Sequence, residues 1–124
     1  MSRSVRIVLN LQCKSGKNGV KTTRKGVRYP TPAFKAWRAL CLDAIEKQGH
    51  SGANLQGKLD CVINYTPGNL IRRDVPGMMD AIFHVIERAE IVQDDAKICH
   101  AVKWFEHPLD RKNPKVEIFL QEVA

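Results

Sequence analysis

The chain has 124 residues, 44% of them hydrophobic and 27% charged, enough for one domain with a single core and too apolar for wholesale disorder. No apolar run approaches the ~20 residues of a membrane span, which excludes a transmembrane helix. A formal net charge of +7 points instead to a polyanionic, macromolecular partner, not a small-molecule substrate.

In chain order, Met1-Ser2-Arg3-Ser4 leads directly into a strand pattern over Val5 to Leu11, not into the core of a signal peptide, so a cytoplasmic location is expected. Val5, Ile7, Leu9 and Leu11 share one face. If this strand lies at a sheet edge, its unpaired backbone groups could seat a second copy of the chain. A basic, flexible loop follows at about 13–31, with a short hairpin around Val20 to Val27. Ten basic residues, Arg3 to Arg38, precede the first acidic one, Asp43. That imbalance exceeds what solubility needs and fits a phosphate-binding surface.

Thr31 and Pro32 predict a capped helix start, and the helix runs to about Lys47 with Gly49 as its stop. Phe34, Trp37, Cys41, Ala44 and Ile45 form its packing stripe. Lys58 to Thr66 alternates again as a strand. The second helix spans about Pro76 to Glu90, with Met78, Met79, Ile82, Val85, Ile86 and Ala89 inward and Asp80, His84 and Glu87 on one polar face. Ile91-Val92 and Ile98 to Phe105 read as strand, and Lys115 to Glu122 closes a hairpin with the latter. The order β-α-β-α-β-β predicts a single α/β domain over 1–124: a two-layer sandwich of a mixed, roughly four-stranded sheet and two helices. Cys13, Cys41, Cys61 and Cys99 lack CxxC spacing, and Cys41 on a helix and Cys61 and Cys99 on strands read as buried free thiols. Trp37 and Trp104 read first as core and second as stacking platforms for an opened base.

Acidic residues stand at three separated points: Asp74 where a strand meets a helix, Asp80 in that helix, and Asp94-Asp95 before the next strand. Convergence of these points would seat Mg²⁺ beside the phosphates held by the basic surface, the electrostatic outline of a nuclease. Each acid also has a plain structural role open to it. Asp74 is a good helix N-cap, Asp80 a solvated face residue, and Asp94-Asp95 turn formers.

The run Arg72-Arg73-Asp74, a helix, then Asp94-Asp95-Ala96-Lys97-Ile98 resembles the RusA-type Holliday junction resolvases, often carried by bacteriophages. In that family an Arg-rich strand end leads into Asp-Leu-Asp-Asn-x-x-Lys-Ala, and a later Asp-Asp-Ala-Gln-Val closes the motif. The similarity covers roughly residues 60–120, and Ala81 keeps the family alanine. The resemblance implies a Mg²⁺-dependent endonuclease of DNA recombination and repair, a homodimer that grips four-way junction DNA and makes paired symmetric nicks. Asp74, Asp94 and Asp95 carry over by motif as metal and catalytic residues, with Asp95 favoured over Asp94. The chain departs from the family at Pro76 and Gly77, which replace the second aspartate and the following Asn; Asp80 stands at the family lysine and His84 at its later helix aspartate. Asp80 lies one helical turn, about 6 Å, beyond Pro76, and its side chain tilts back toward the vacated place, so it is the expected replacement ligand. His84 then orients Asp80 or assists the leaving group. Lys14, Lys17, Lys21, Arg24, Lys25, Arg28, Arg72 and Arg73 are the expected DNA contacts. The alternative is a catalytically impaired protein that binds branched DNA without cutting it.

Overall fold

A computed structural model describes residues 2–15, 20–22, 24–26, 28–93 and 101–123. Within them lie β1 (Ser4–Leu9), a small hairpin of β2 (Val20–Thr22) and β3 (Arg28–Pro30), α1 (Pro32–Lys47), β4 (Leu59–Thr66), α2 (Val75–Arg88), β5 (Ala101–Glu106) and β6 (Lys115–Glu122). Two helices and a mixed four-stranded sheet form the expected two-layer α/β arrangement. The β2–β3 hairpin falls inside the basic loop, with Arg24 to Gly26 between its strands.

The sheet order is β1-β6-β4-β5. β6 is antiparallel to both β1 and β4, and β5 is parallel to β4 at the far edge. The expected hairpin of β6 with the preceding strand is therefore not made. Val116, Ile118 and Leu120 of β6 are all buried, and a strand this apolar is best satisfied between two partners. Half-exposed β5, with Lys103, Phe105 and Glu106 in solvent, is better suited to an edge.

Period-two burial sets the register of one sheet face. Val5, Ile7 and Leu9, Leu59, Cys61, Ile63 and Tyr65, and the three inward residues of β6 point at the helices. From the helices, Phe34, Trp37, Cys41 and Ile45 of α1 and Met78, Ala81, Ile82, Val85 and Ile86 of α2 complete one core. Trp37 is core, as its first reading held, and its Nε1 donates to Gln12 O at 3.0 Å. Trp104 is partly buried against Tyr65, ring centroids 5.6 Å apart. Cys13, Cys41 and Cys61 are free and buried, and burial pushes each thiol up to about 12, far from a reactive thiolate. Cys99 lies outside the described residues.

Both helices end in the same way. In α1, Gly49 N–H donates to Glu46 O and His50 N–H to Ile45 O, with Gly49 at φ +78°. In α2, Glu90 takes the left-handed place at φ +58°, and Ile91 N–H donates to Ile86 O. Ile91-Val92 is therefore not strand: Ile91 is the apolar residue that closes the helix, and both side chains are buried. The carbonyls of Ala89, Glu90 and Ile91 accept from Gly52, Asn54 and Leu55, so the two helix-ending loops bind each other.

β1 lies at an edge, as a dimer through that strand requires. At its centre, however, Gln48 Oε1 accepts from Val8 N–H and Gln48 Nε2 donates to Val8 O, which covers part of that edge.

The chain ends are tied by Glu122, whose carboxylate accepts from Gln56 N–H at 2.6 Å and Arg3 N–H at 2.8 Å and pairs with the Arg3 guanidinium. The Gln56 bond first, then Arg3, holds its carboxyl below the usual 4.5. A depressed carboxyl contributes stability that is present above its unfolded value and lost as pH falls through the folded value. Urea midpoints should thus drop as pH falls below about 4.5, and Glu122→Gln should flatten that acid limb. An unchanged limb in the variant would count against this clasp.

Candidate nucleic-acid interface and acidic site

The carboxyl end of β4 carries the candidate site. Pro67-Gly68 stops the strand, and Gly68 N–H donates to Gln12 Oε1 at 2.7 Å. Gln12 Nε2 also donates to Tyr65 Oη at 2.6 Å, so one side chain ties the end of β4 to the segment after β1. Asn69 Oδ1 then accepts from Ile71 N–H and from Arg73 Nη1, at 3.1 and 2.9 Å, and Arg73 Nη1 also reaches Ile71 O. This small polar turn holds Arg73 half-buried while Arg72 stays exposed. Leu70 and Ile71 stand in solvent beside them, 76% and 66% exposed.

Asp74 is the N-cap of α2, and its Oδ2 accepts from Gly77 N–H at 3.1 Å. The structural role open to it is thus filled, and the residue is exposed. A Cβ built on Gly77 would lie 2.3 Å from Ser15 Oγ and 2.7 Å from Asp74 Oδ1. Only glycine lets the Lys14-Ser15 segment come this close to the first turn of α2.

Two cavities flank the 71–73 segment. One, about 310 Å³, is lined by Tyr65, Asn69, Arg72, Arg73, Met78 and Glu106 among others. The other, about 280 Å³, lies between Lys14-Ser15, the start of α1 at Thr31, Ala33 and Phe34, and Ile71 to Arg73. Among the described residues its lining holds three cations and no acid.

The remaining expected site residues are spread more widely. Asp80 is exposed on α2 and makes no hydrogen bond or ion pair with the described residues. His84, one turn on, faces α1: its Nε2 is 3.2 Å from Arg38 Nη1, and its ring lies 5.8 Å from that of Phe34. Lys14, Arg24 and Lys25 are exposed. Only the backbone of Lys21 and Arg28 is described, in the β2–β3 hairpin. Lys17, Asp94 and Asp95 lie outside the described residues. Among the described residues, no group of three or more His, Cys, Asp or Glu is arranged to hold a metal ion. Asp74 is thus the one motif carboxylate among the described residues, at the strand–helix junction.

Ser15, Asn69 and Glu106 escaped sequence reasoning. Nothing in a Lys-rich loop marks one serine as buried, and the Asn69 signal, an Asn two residues before an exposed pair, is that of any turn. Glu106 closes a strand whose sheet partner is β4 and not the expected β6.

No protein-family model matches the chain, and no curated protein matches its sequence. No described helix is long and apolar enough to cross a membrane.

Proposed function

We propose that the protein is a Mg²⁺-dependent endonuclease acting on branched DNA, four-way junctions above all, as a homodimer in the cytoplasm. The observation that carries this reading is a juxtaposition. Asp74 opens α2 directly after Arg72-Arg73, and the same arginine pair lines a cavity whose charged residues, among the described ones, are three cations. Duplex phosphates are drawn to such a surface, and each one neutralised adds roughly −0.9 to the log-log salt slope of binding. The site also lies beyond the carboxyl end of a strand in a parallel pair, where α/β folds commonly place their ligands.

Mg²⁺ would be held by Asp74 with Asp94 and Asp95, and Asp80 serves as the replacement for the acid missing at Pro76. When bound, the metal polarises the scissile phosphate and activates a water. The chain's own contribution is to hold the strand: Arg73, fixed by Asn69, and exposed Arg72 position phosphates next to the Asp74 carboxylate. Leu70 and Ile71 favour a branched substrate, because apolar side chains beside arginines wedge between unstacked bases.

The test is one gel of synthetic four-way junction, linear duplex and single strand, each with Mg²⁺ or EDTA. Paired nicks in the junction alone, and only with metal, are expected. Tight, salt-sensitive junction binding with no cleavage would replace this reading by that of a branched-DNA-binding protein. Equal affinity for all three DNAs would end both.

A further inference from the structure

We propose that the cavity between the start of α1 and Arg72-Arg73 is a discrete phosphate seat, in which one phosphate group is held by Lys14, Arg72, Arg73, the Ala33 N–H and the Ser15 hydroxyl. The inference rests on the nucleic-acid reading and adds to it a particular pocket with named donors.

Four properties of this cavity converge. Among the described residues its charged lining is positive, with Lys14, Arg72 and Arg73. Its floor is the N-terminus of a 16-residue helix with no acidic residue in the first turn, so that turn itself does not neutralise the positive end of the helix. The Thr31 side chain caps the Phe34 N–H at 3.2 Å, and Pro32 has no N–H. The Ala33 N–H, which no preceding helical turn can accept, is left for a ligand at the cavity wall.

Ser15 provides the independent sign of a ligand. It lines the cavity, is only 8% exposed, and its Oγ finds no hydrogen-bond partner among the described residues. A buried hydroxyl without a partner is costly to maintain in a folded protein unless something binds it. It is also held against the first turn of α2 by the glycine at position 77. The first turn of α2, whose own positive end is capped by Asp74, thus packs against the same serine. A volume of about 280 Å³ is ample for a phosphate group. Arg73 is already oriented through Nη1 by Asn69 and Ile71, which lowers the entropic cost of binding an anion.

The experiment uses the full ¹⁵N-labelled chain in EDTA, titrated with inorganic phosphate. Saturable shifts confined to the amides of Ser15, Ala33 and Phe34 and their neighbours are expected. Ser15→Ala should weaken phosphate binding roughly tenfold, the effect of one hydrogen bond to a charged group, while leaving the melting temperature equal or higher. A merely structural serine would behave in the opposite way, losing stability at unchanged phosphate affinity, and that result overturns the seat. Ala33→Glu puts a carboxylate at an exposed first-turn position that the helix tolerates, and should abolish the shifts without unfolding the protein. Shifts that never saturate, or that scatter over the basic surface, also overturn it.

Oligonucleotides with a 5′-phosphate or a 5′-hydroxyl identify the source. If Ala33→Glu weakens binding of both equally, an internal phosphodiester occupies the seat; if only of the first, a terminal phosphate does. No effect on either refutes the proposal. Phosphate binding is read without metal or cleavage, so a chain that fills the seat yet cuts nothing loses the nuclease reading alone. A chain that nicks junctions without local, saturable phosphate binding loses the seat alone.

Discussion

Asp74→Asn should leave the protein folded and able to bind four-way junctions in EDTA, yet lower Mg²⁺-dependent nicking by about 10²-fold or more, since metal stabilisation of the reacting phosphate amounts to several kcal/mol. The choice of Asn separates the two roles of this residue. Asp74 caps α2 through Oδ2 and Gly77 N–H, and Asn caps a helix about as well as Asp. It lacks the charge a hard cation selects. Asp74→Ala is the companion variant: it should lose activity and also about 1 kcal/mol of stability, because the cap is gone. Nicking by Asp74→Asn at the wild-type rate would show that the residue is a cap and nothing more.

The largest expected effect on stability is at Ile63. This residue is fully buried in β4, the strand bonded to both β6 and β5, with Ile118 and Trp104 as its cross-strand neighbours. Truncation to alanine removes three carbons where sheet and helices meet on all sides, and should cost about 2–5 kcal/mol. A domain of this size is stable by about 5–15 kcal/mol in total, so the urea midpoint should fall by a large fraction. The exposed Leu70 offers the control, since its truncation to alanine removes little packing. Similar losses for the two would mean that the sheet is not packed as described.

Local signals carried most of the elements. Thr31-Pro32 and Gly49 bound α1 correctly because capping is a matter of a few adjacent residues. Alternation of Val116, Ile118 and Leu120 placed β6 at Lys115–Glu122 for the same reason. Burial of Cys41 and Cys61 followed from their place on patterned elements, whereas that of Cys13, at the start of the basic loop, did not. The misreadings arose where a partner far along the chain decides. Ile91-Val92 carries a β-branched pair, yet a left-handed Glu90 turns Ile91 back onto Ile86 to end a helix. Lys115 to Glu122 was readable as a strand, but its insertion between β1 and β4 was not.

For the site, the chain itself revealed a basic first third, an arginine pair abutting Asp74, and acids at three separated points. Those are facts of composition and order, which need no coordinates. Which of those charges meet was a matter for the tertiary structure. It set Lys14 and Ser15 against the starts of two helices, turned His84 toward Arg38, and opened a cavity beside Arg72-Arg73. The physical reason is that side-chain periodicity is a property of neighbours, whereas a cavity is the space left when distant segments each bury their own apolar faces.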